Sequence, residues 1–285
     1  RHNPNFCQFH NIHGAGWPLE IVRVASNYCP TSWTLHDCSS FLGSYYPSHS
    51  PPPIDKDKLR LRAYWDSISK QKTRFPLCAV TPSEWMNKQA KSSTWSDHLV
   101  QTIHNPVPYS YFKNRDQDAC KRALGVITEK PLVLCIAADL EEERKGGNIL
   151  KEILSSEFDD VNFLLIGRTT NSIADHKENI YSLGFIQDEL TMQIAYHAAD
   201  LVIHPAPIDN LPNTVAEALS AGTPILSFKT GGLPEMVVSG KSGWLVPKIN
   251  AQLMTRELHS ILETSSYRKL RNSSKELAWQ LFDPK

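Results

Sequence analysis

The fold is decided by one stretch, Ala199-Asp-Leu-Val-Ile-His-Pro-Ala-Pro-Ile-Asp209-Asn-Leu-Pro-Asn-Thr-Val-Ala-Glu217-Ala-Leu-Ser-Ala-Gly222-Thr-Pro224. Leu201 to His204 is an apolar run of strand length that ends near Pro205. A short loop follows, and a helix is expected to open at Pro212 and stop at Gly222, because proline suits helix entry and glycine helix exit. A buried strand feeding such a helix puts the helix N-terminus at the carboxyl edge of a sheet, where open α/β folds bind ligands. The free N–H groups of Asn213, Thr214 and Val215, with the helix dipole behind them, should then form a site for a phosphate. Glu217 lies roughly 7.5 Å down the helix axis from Pro212, a reach that suits a ribose diol attached to a diphosphate. Asp209 precedes the helix on the other side of the anion site, where its carboxylate could accept hydrogen bonds from sugar hydroxyls.

Working outward, Pro131 to Ala137, Asn162 to Ile166 and Ile225 to Phe228 are apolar runs with the character of strands buried on both faces. Glu189 to Ala198 has the 3.6-residue period of a helix, and Pro234 begins another short one. This half reads as a doubly wound α/β domain. In the N-terminal third, Phe6 to Phe9, Thr31 to Leu35 and Leu77 to Val80 are short strands that each end in polar residues, which suggests βαβ units on a parallel sheet. Pro51-Pro52-Pro53 is a loop, and Leu61, Tyr64, Trp65 and Ile68 predict a helix after it. The segment Ile103 to Pro108 disfavours helix before each proline and marks the domain boundary. The expected domains are 1–110 and 111–285, in line with about 150 residues per domain.

Composition narrows the function classes. The 285 residues are 41% hydrophobic and 21% charged, with 30 basic and 30 acidic side chains, so no global positive field exists to hold a nucleic-acid backbone. Six cysteines at 7, 29, 38, 78, 120 and 135 never form C-x-x-C, which fits a reducing, cytoplasmic setting. No apolar run approaches the roughly 18 residues that span a bilayer, and residues 1–20 lack a signal-peptide pattern. Residues 56–74 carry seven Lys/Arg against two Asp; that face could dock on anionic lipid or a lipid-linked acceptor at the inner face of the membrane, although a solvated helix face is the favoured reading. The chain opens on Arg1-His-Asn-Pro4 directly before a strand, as a fragment lacking the start of its first domain would. His10, His13, His36 and Asp37 are too scattered for a metal site, and Asp55-Lys-Asp57 and Asp116-Gln-Asp118 follow no apolar strand, so no metal is expected.

Lys145 and Arg144 sit in Glu141-Glu-Glu-Arg144-Lys145-Gly146-Gly147, after the strand that ends near Ala137. A charge run is commonly a solvated surface, but this position would bring two cations to the carboxyl edge, where they could neutralise a leaving diphosphate.

Asp209-x7-Glu217 resembles the E-x7-E region of retaining GT-B glycosyltransferases of family 4, the glycosyl transferases group 1. Further blocks resemble the same family in order along the chain. They are His10-Asn-Ile-His13-Gly14, Trp33-Thr-Leu-His36-Asp37, Thr81-Pro82-Ser83-Glu-Trp, Arg144-Lys145-Gly146, Lys229-Thr-Gly231-Gly232-Leu-Pro-Glu-Met-Val and Gly240-Lys-Ser-Gly243-Trp-Leu-Val. The resemblance implies two Rossmann-like domains facing across a cleft, the N-terminal one incomplete. By it, Glu217 holds the nucleotide ribose, and Asp209, an Asp where the family usually has Glu, holds the donor hexose. Asn210, Leu211, Asn213, Thr214 and Val215 line the sugar and diphosphate through backbone groups. Gly184, Phe185, Ile186 and Leu190 receive the base, Lys145 and Arg144 neutralise the diphosphate, and His36 contacts the sugar near the reacting carbon. The family usually has a second Arg where this chain reads Ala137-Ala138-Asp139-Leu140. The expected activity is transfer of a hexose, glucose by preference, from a UDP-sugar to a glycan or lipid-linked acceptor in surface polysaccharide synthesis, without cofactor or metal. A non-catalytic nucleotide-sugar-binding module and a GT-B nucleotide-sugar epimerase are the competing readings.

Overall fold

The computed structural model describes residues 4–12, 17–18, 20–42, 67, 72–158, 160–169 and 177–283. The chain divides into two units, Arg1–His104 and Asn105–Lys285. Most of the helix expected within 56–74, together with His13 and Gly14, lies outside the described residues.

In the N-terminal unit, β1 (Cys7–His10), β2 (Thr31–Thr34), β3 (Leu77–Thr81) and β4 (Leu99–Thr102) form a parallel sheet in the order β1-β2-β3-β4. The sequence pattern revealed the first three strands and missed β4. Between them lie α1 (Glu20–Ser26), α2 (Ser39–Leu42) and α3 (Glu84–Lys91). Ser83 caps α3 by accepting from Met86 N at 3.0 Å, which satisfies one of the donors a helix start leaves open. Trp33, Met86 and Trp95 are fully buried or nearly so and form the centre of this unit's core.

The C-terminal unit carries a six-stranded parallel sheet of β5 (Leu132–Asp139), β6 (Asn162–Arg168), β7 (Ile180–Ser182), β8 (Leu201–His204), β9 (Ile225–Phe228) and β10 (Gly243–Val246). Its order is β10-β9-β8-β5-β6-β7. The chain therefore winds from β5 to one edge, returns to pair β8 against β5, and winds to the other edge. The helices are α4 (Gln117–Ala123), α5 (Gly147–Ser155), α6 (Glu189–Ala198), α7 (Asn213–Ser220), α8 (Leu233–Met236), α9 (Ala251–Glu263) and α10 (Arg271–Phe282).

The apolar strands are double-sided, as their composition requires. Leu132 and Leu134 of β5, Leu164 and Ile166 of β6, and Val202 of β8 point into one core, with α6, α7 and α10. Val133, Cys135, Phe163, Leu165, Leu201 and Ile203 alternate into the other, with α5 and α9. On α5, Leu150, Ile153 and Leu154 are all buried at i, i+3 and i+4; covering each side chain contributes about 2 kcal/mol as an upper bound. Val107 is buried in the first of these cores, and its N–H donates to Phe282 O at 3.1 Å. Residues 105–110 therefore pack with the C-terminal unit, and the division falls at His104/Asn105 rather than at 110/111. Among the described residues, no helix is long and apolar enough to cross a membrane.

Candidate functional site

The winding order fixes where a ligand should bind. β5 and β8 are neighbours from which the chain departs in opposite directions, and the loops leaving their carboxyl ends must diverge and open a crevice. Those two loops hold Lys145 and Asp209. After β5, residues Glu143–Lys145 make a single 3-10 turn, and Gly146 follows in the left-handed region at φ +86°. A Cβ on Gly146 would stand 2.2 Å from Pro205 O, so only glycine allows this turn to press onto the loop after β8.

Lys145 Nζ reaches Asp209 Oδ2 at 2.8 Å, with the two side chains 27% and 6% exposed. Asn210 N donates to Asp209 Oδ1 at 3.0 Å, and His204 Nε2, from the end of β8, lies 3.5 Å from Oδ2. Burial alone would raise the Asp209 carboxyl, but His204 and Lys145 together hold it well below the usual carboxylate range. The group is ionised in an almost dry position.

The loop after β9 closes the site from behind. Gly231, at φ +58°, comes so near the Asp209 backbone that a Cβ would stand 1.9 Å from Asp209 O. That carbonyl accepts from Gly232 N at 3.0 Å, and Thr230 Oγ1 donates to Pro207 O at 2.8 Å. The Lys229-Thr-Gly231-Gly232 block therefore braces the Asp209 loop.

Pro212 is the N-cap of α7, and the helix starts at Asn213. The expectation of three free N–H groups is corrected here: Val215 N and Ala216 N both donate to Pro212 O, at 3.0 and 3.2 Å. With the cap at Pro212, Val215 already lies in the bonded part of the turn, and the open donors of that trio are Asn213 and Thr214. Asn213 Oδ1 accepts from Asn105 Nδ2 at 3.3 Å. Asn210 and Leu211 are buried.

Glu217 is half-buried on α7 and accepts from Tyr196 Oη at 2.7 Å. Burial raises its carboxyl, the Tyr196 hydroxyl opposes that, and Glu189 adds to it. Tyr196 is fully buried on α6, and its own hydroxyl is pushed far up by burial and by Glu217. Sequence reasoning found Glu217 and missed this partner, which looks like an ordinary aromatic core position of an amphipathic helix.

The remaining expected residues fall as follows. Arg144 Nε bonds Glu142 Oε1 at 2.8 Å, so that carboxylate offsets part of its charge. Gly184 follows β7, and its carbonyl accepts from Gly167 N at 2.9 Å. Phe185 is 47% exposed, with the Arg168 guanidinium 5.1 Å from its ring centre, a cation–π contact made at the carboxyl end of β6. Ile186 is half-buried against the core, and Leu190 is exposed in the first turn of α6. His36 lies two residues beyond β2 in the N-terminal unit, with its Nε2 2.9 Å from His10 Nδ1 and the rings stacked. Asp37 Oδ1 accepts from Ser39 N at 2.9 Å and from the Ser39 hydroxyl, at the start of α2.

The parallel sheets, the second of them doubly wound, agree with the solved structures that the chain resembles, and the chain has the fold of GT-B glycosyltransferases. Over 98% of this chain and 69% of the other, it superposes on sucrose-phosphate synthase from Thermosynechococcus elongatus with a TM-score of 0.76 at 17% identity. Anabaena HepE in complex with UDP gives 0.69 at 19% identity, over 93% and 72%.

Residues 130–264 match the family described as Glycosyl transferases group 1. Over 51 residues, the chain is 41% identical to the putative colanic acid biosynthesis glycosyltransferase WcaL of Salmonella typhimurium, covering 18% of this chain and 13% of that one. It is 27% identical over 159 residues to D-inositol 3-phosphate glycosyltransferase of a Mycobacterium species, covering 52% and 36%. The chain thus spans well under half the length of these curated relatives.

Proposed function

We propose that this chain acts as a retaining glycosyltransferase of family 4 that moves a hexose from a UDP-sugar to a glycan or lipid-linked acceptor in surface polysaccharide synthesis. The observation that carries the reading is the Lys145–Asp209 pair at the β5/β8 switch point, beside the open end of α7. Asp209 is ionised and able to accept sugar hydroxyls; Lys145 is a cation one side chain away, able to meet a diphosphate. The HepE structure with UDP supports the choice of nucleotide, and the WcaL likeness supports the choice of pathway class.

In this reading the diphosphate sits at the Asn213 and Thr214 N–H groups with Lys145 and Arg144 over it. Glu217 takes the ribose diol through the lone pairs that Tyr196 leaves. The base lies along Gly184, Phe185, Ile186 and Leu190. The acceptor hydroxyl attacks on the face the leaving group departs from, and a diphosphate oxygen takes its proton. The protein's share is positioning and neutralisation of the developing diphosphate charge, with Lys145 supplying the charge that a divalent ion would otherwise bring. Incubation with UDP-glucose and water tests it. Slow release of UDP that disappears in Asp209→Ala and Lys145→Ala supports a transferase, whereas binding of UDP with no release in the presence of any acceptor would make the chain a binding module.

A further inference from the structure

Two cysteines of the N-terminal unit stand apart from the other four. Cys7 opens β1 and is half-buried; Cys29 lies in the turn ahead of β2 and is 2% exposed. They are 22 residues apart in the chain, yet Cys29 Sγ donates to Cys7 Sγ at 3.4 Å. The backbone fixes both ends of this contact. Cys7 N donates to Pro30 O at 3.0 Å, at the start of the parallel register that pairs Cys7 with Thr31. Cys29 N donates to Ala25 O at 3.0 Å, and the Cys29 carbonyl accepts from Thr31 Oγ1 at 3.0 Å. Elsewhere among the described residues, Cys38 Sγ lies 3.9 Å from Met86 Sδ and Cys78 Sγ 3.6 Å from Thr31 O, while Cys120 and Cys135 are buried.

A disulfide holds its sulfurs at about 2.05 Å, so this pair has only about 1.4 Å left to close. We propose that Cys7 and Cys29 are a modification site: a small-molecule disulfide such as oxidised glutathione converts them to an intramolecular disulfide that ties β1 to the turn before β2. The Cys7 thiol gives up its proton, and its thiolate attacks one glutathione sulfur and expels the other half as glutathione. Cys29 then loses its proton and attacks Cys7 Sγ, which forms the protein disulfide and releases the second glutathione. Two protein thiols are oxidised, one glutathione disulfide is reduced, and both protons end on the released glutathiones. Cys7 reacts first because it is the more exposed, and Cys29 resolves the adduct because it is already in contact. The hydrogen bond from Cys29, and burial, hold the Cys7 thiol above its ordinary value, so the exchange takes minutes to hours. Among the described residues β1 is the edge strand of its sheet, and a covalent tie at its start restrains the local opening to which edges are prone. The inference does not depend on the donor-site reading above.

The test incubates the folded chain with oxidised glutathione, blocks the remaining thiols with iodoacetamide in denaturant, and digests with trypsin without reductant. Of the six thiols, four should remain. The tryptic peptides 2–23 and 24–56 should appear joined, lighter than their sum by two hydrogens, and dithiothreitol should restore all six thiols. Chymotrypsin, which cuts after Trp33, separates Cys29 from Cys38 and should leave the link on the Cys29 side, so the bond is located without any variant. In Cys29→Ser, Cys7 should stop at the glutathione adduct. Six thiols left unchanged, a glutathione adduct that persists on Cys7 of the wild type, or a link from Cys7 to Cys38 overturns the inference and leaves the contact as packing of two small apolar side chains.

Discussion

Gly231→Ala puts the geometry of the site under a load that can be sized. The new Cβ would stand 1.9 Å from Asp209 O, and a carbon and an oxygen need about 3 Å or more, so one loop must retreat by about 1 Å. An alanine at φ +58° also costs about 1–2 kcal/mol for left-handed backbone, and relieving such an overlap typically costs about 1–3 kcal/mol. The sum, about 2–5 kcal/mol, lowers the melting temperature of a unit this size by roughly 4–20 °C. The retreat also breaks the Gly232 N to Asp209 O bond and displaces the carboxylate; a misplacement of about 1 Å can cost on the order of a hundredfold in rate. Gly240→Ala is the control. Gly240 has φ +76° and open space around its Cβ position, so it carries the backbone cost alone. Scanning calorimetry and UDP release on both variants separate the two effects. A Gly231→Ala protein that melts with the Gly240→Ala control and releases UDP at the wild-type rate refutes the bracing role of the β9 loop.

Removing one member of the Lys145–Asp209 pair should hurt more than removing both. Lys145→Ala takes a charge partner from a buried carboxylate, a loss of up to about 3–5 kcal/mol, and the double variant with Asp209→Ala should melt above it in the same calorimeter. Tyr196→Phe takes the hydroxyl from Glu217 Oε2 and should cost about 1.5–3 kcal/mol in denaturant unfolding, with weaker UDP binding by titration calorimetry. Glu217 gives a pH signature. Its carboxyl is raised in the folded state, so the stability it contributes is complete below its ordinary value and is lost as pH rises through the raised one. Glu217→Gln should therefore gain on wild type in melting temperature as pH rises from about 4.5. For Asp209, held low, the sign reverses: its contribution is present above its ordinary value and disappears as pH falls below it, so acid unfolding of Asp209→Asn should be less steep. Chelation with EDTA should leave UDP release unchanged, since the proposed mechanism uses Lys145 where a metal would otherwise act.

The strands that carry the site were legible because β5, β6, β8 and β9 are largely buried on both faces and therefore mostly apolar, whatever their neighbours. The edge strands β7 and β10, Ile180–Ser182 and Gly243–Val246, are short and only half covered, and composition does not separate them from loops. The same is true of β4, whose Leu99 is 68% exposed. Lys145 and Asp209 could each be placed at the carboxyl edge from their strands. That they meet depends on β5 and β8 being adjacent, a fact of winding order that lies 64 residues apart in the chain. His204 and Tyr196 were hidden for a related reason: a histidine closing a strand and a tyrosine on a core helix take their meaning from the carboxylates across from them. The exact cap of α7 turned on one residue, and that shift closed the Val215 donor.

In the proposed reading, the crevice between β5 and β8 binds the diphosphate and sugar of a nucleotide sugar through Lys145 and Asp209. Titration of the chain with UDP and UDP-glucose, read as a shift in melting temperature, tests it most directly. Both ligands should raise the melting temperature in wild type, Lys145→Ala should lose most of both shifts, and Asp209→Ala should keep the UDP shift while losing the increment due to the sugar. No shift with UDP, GDP or their sugars, or shifts unaltered in both variants, would contradict it.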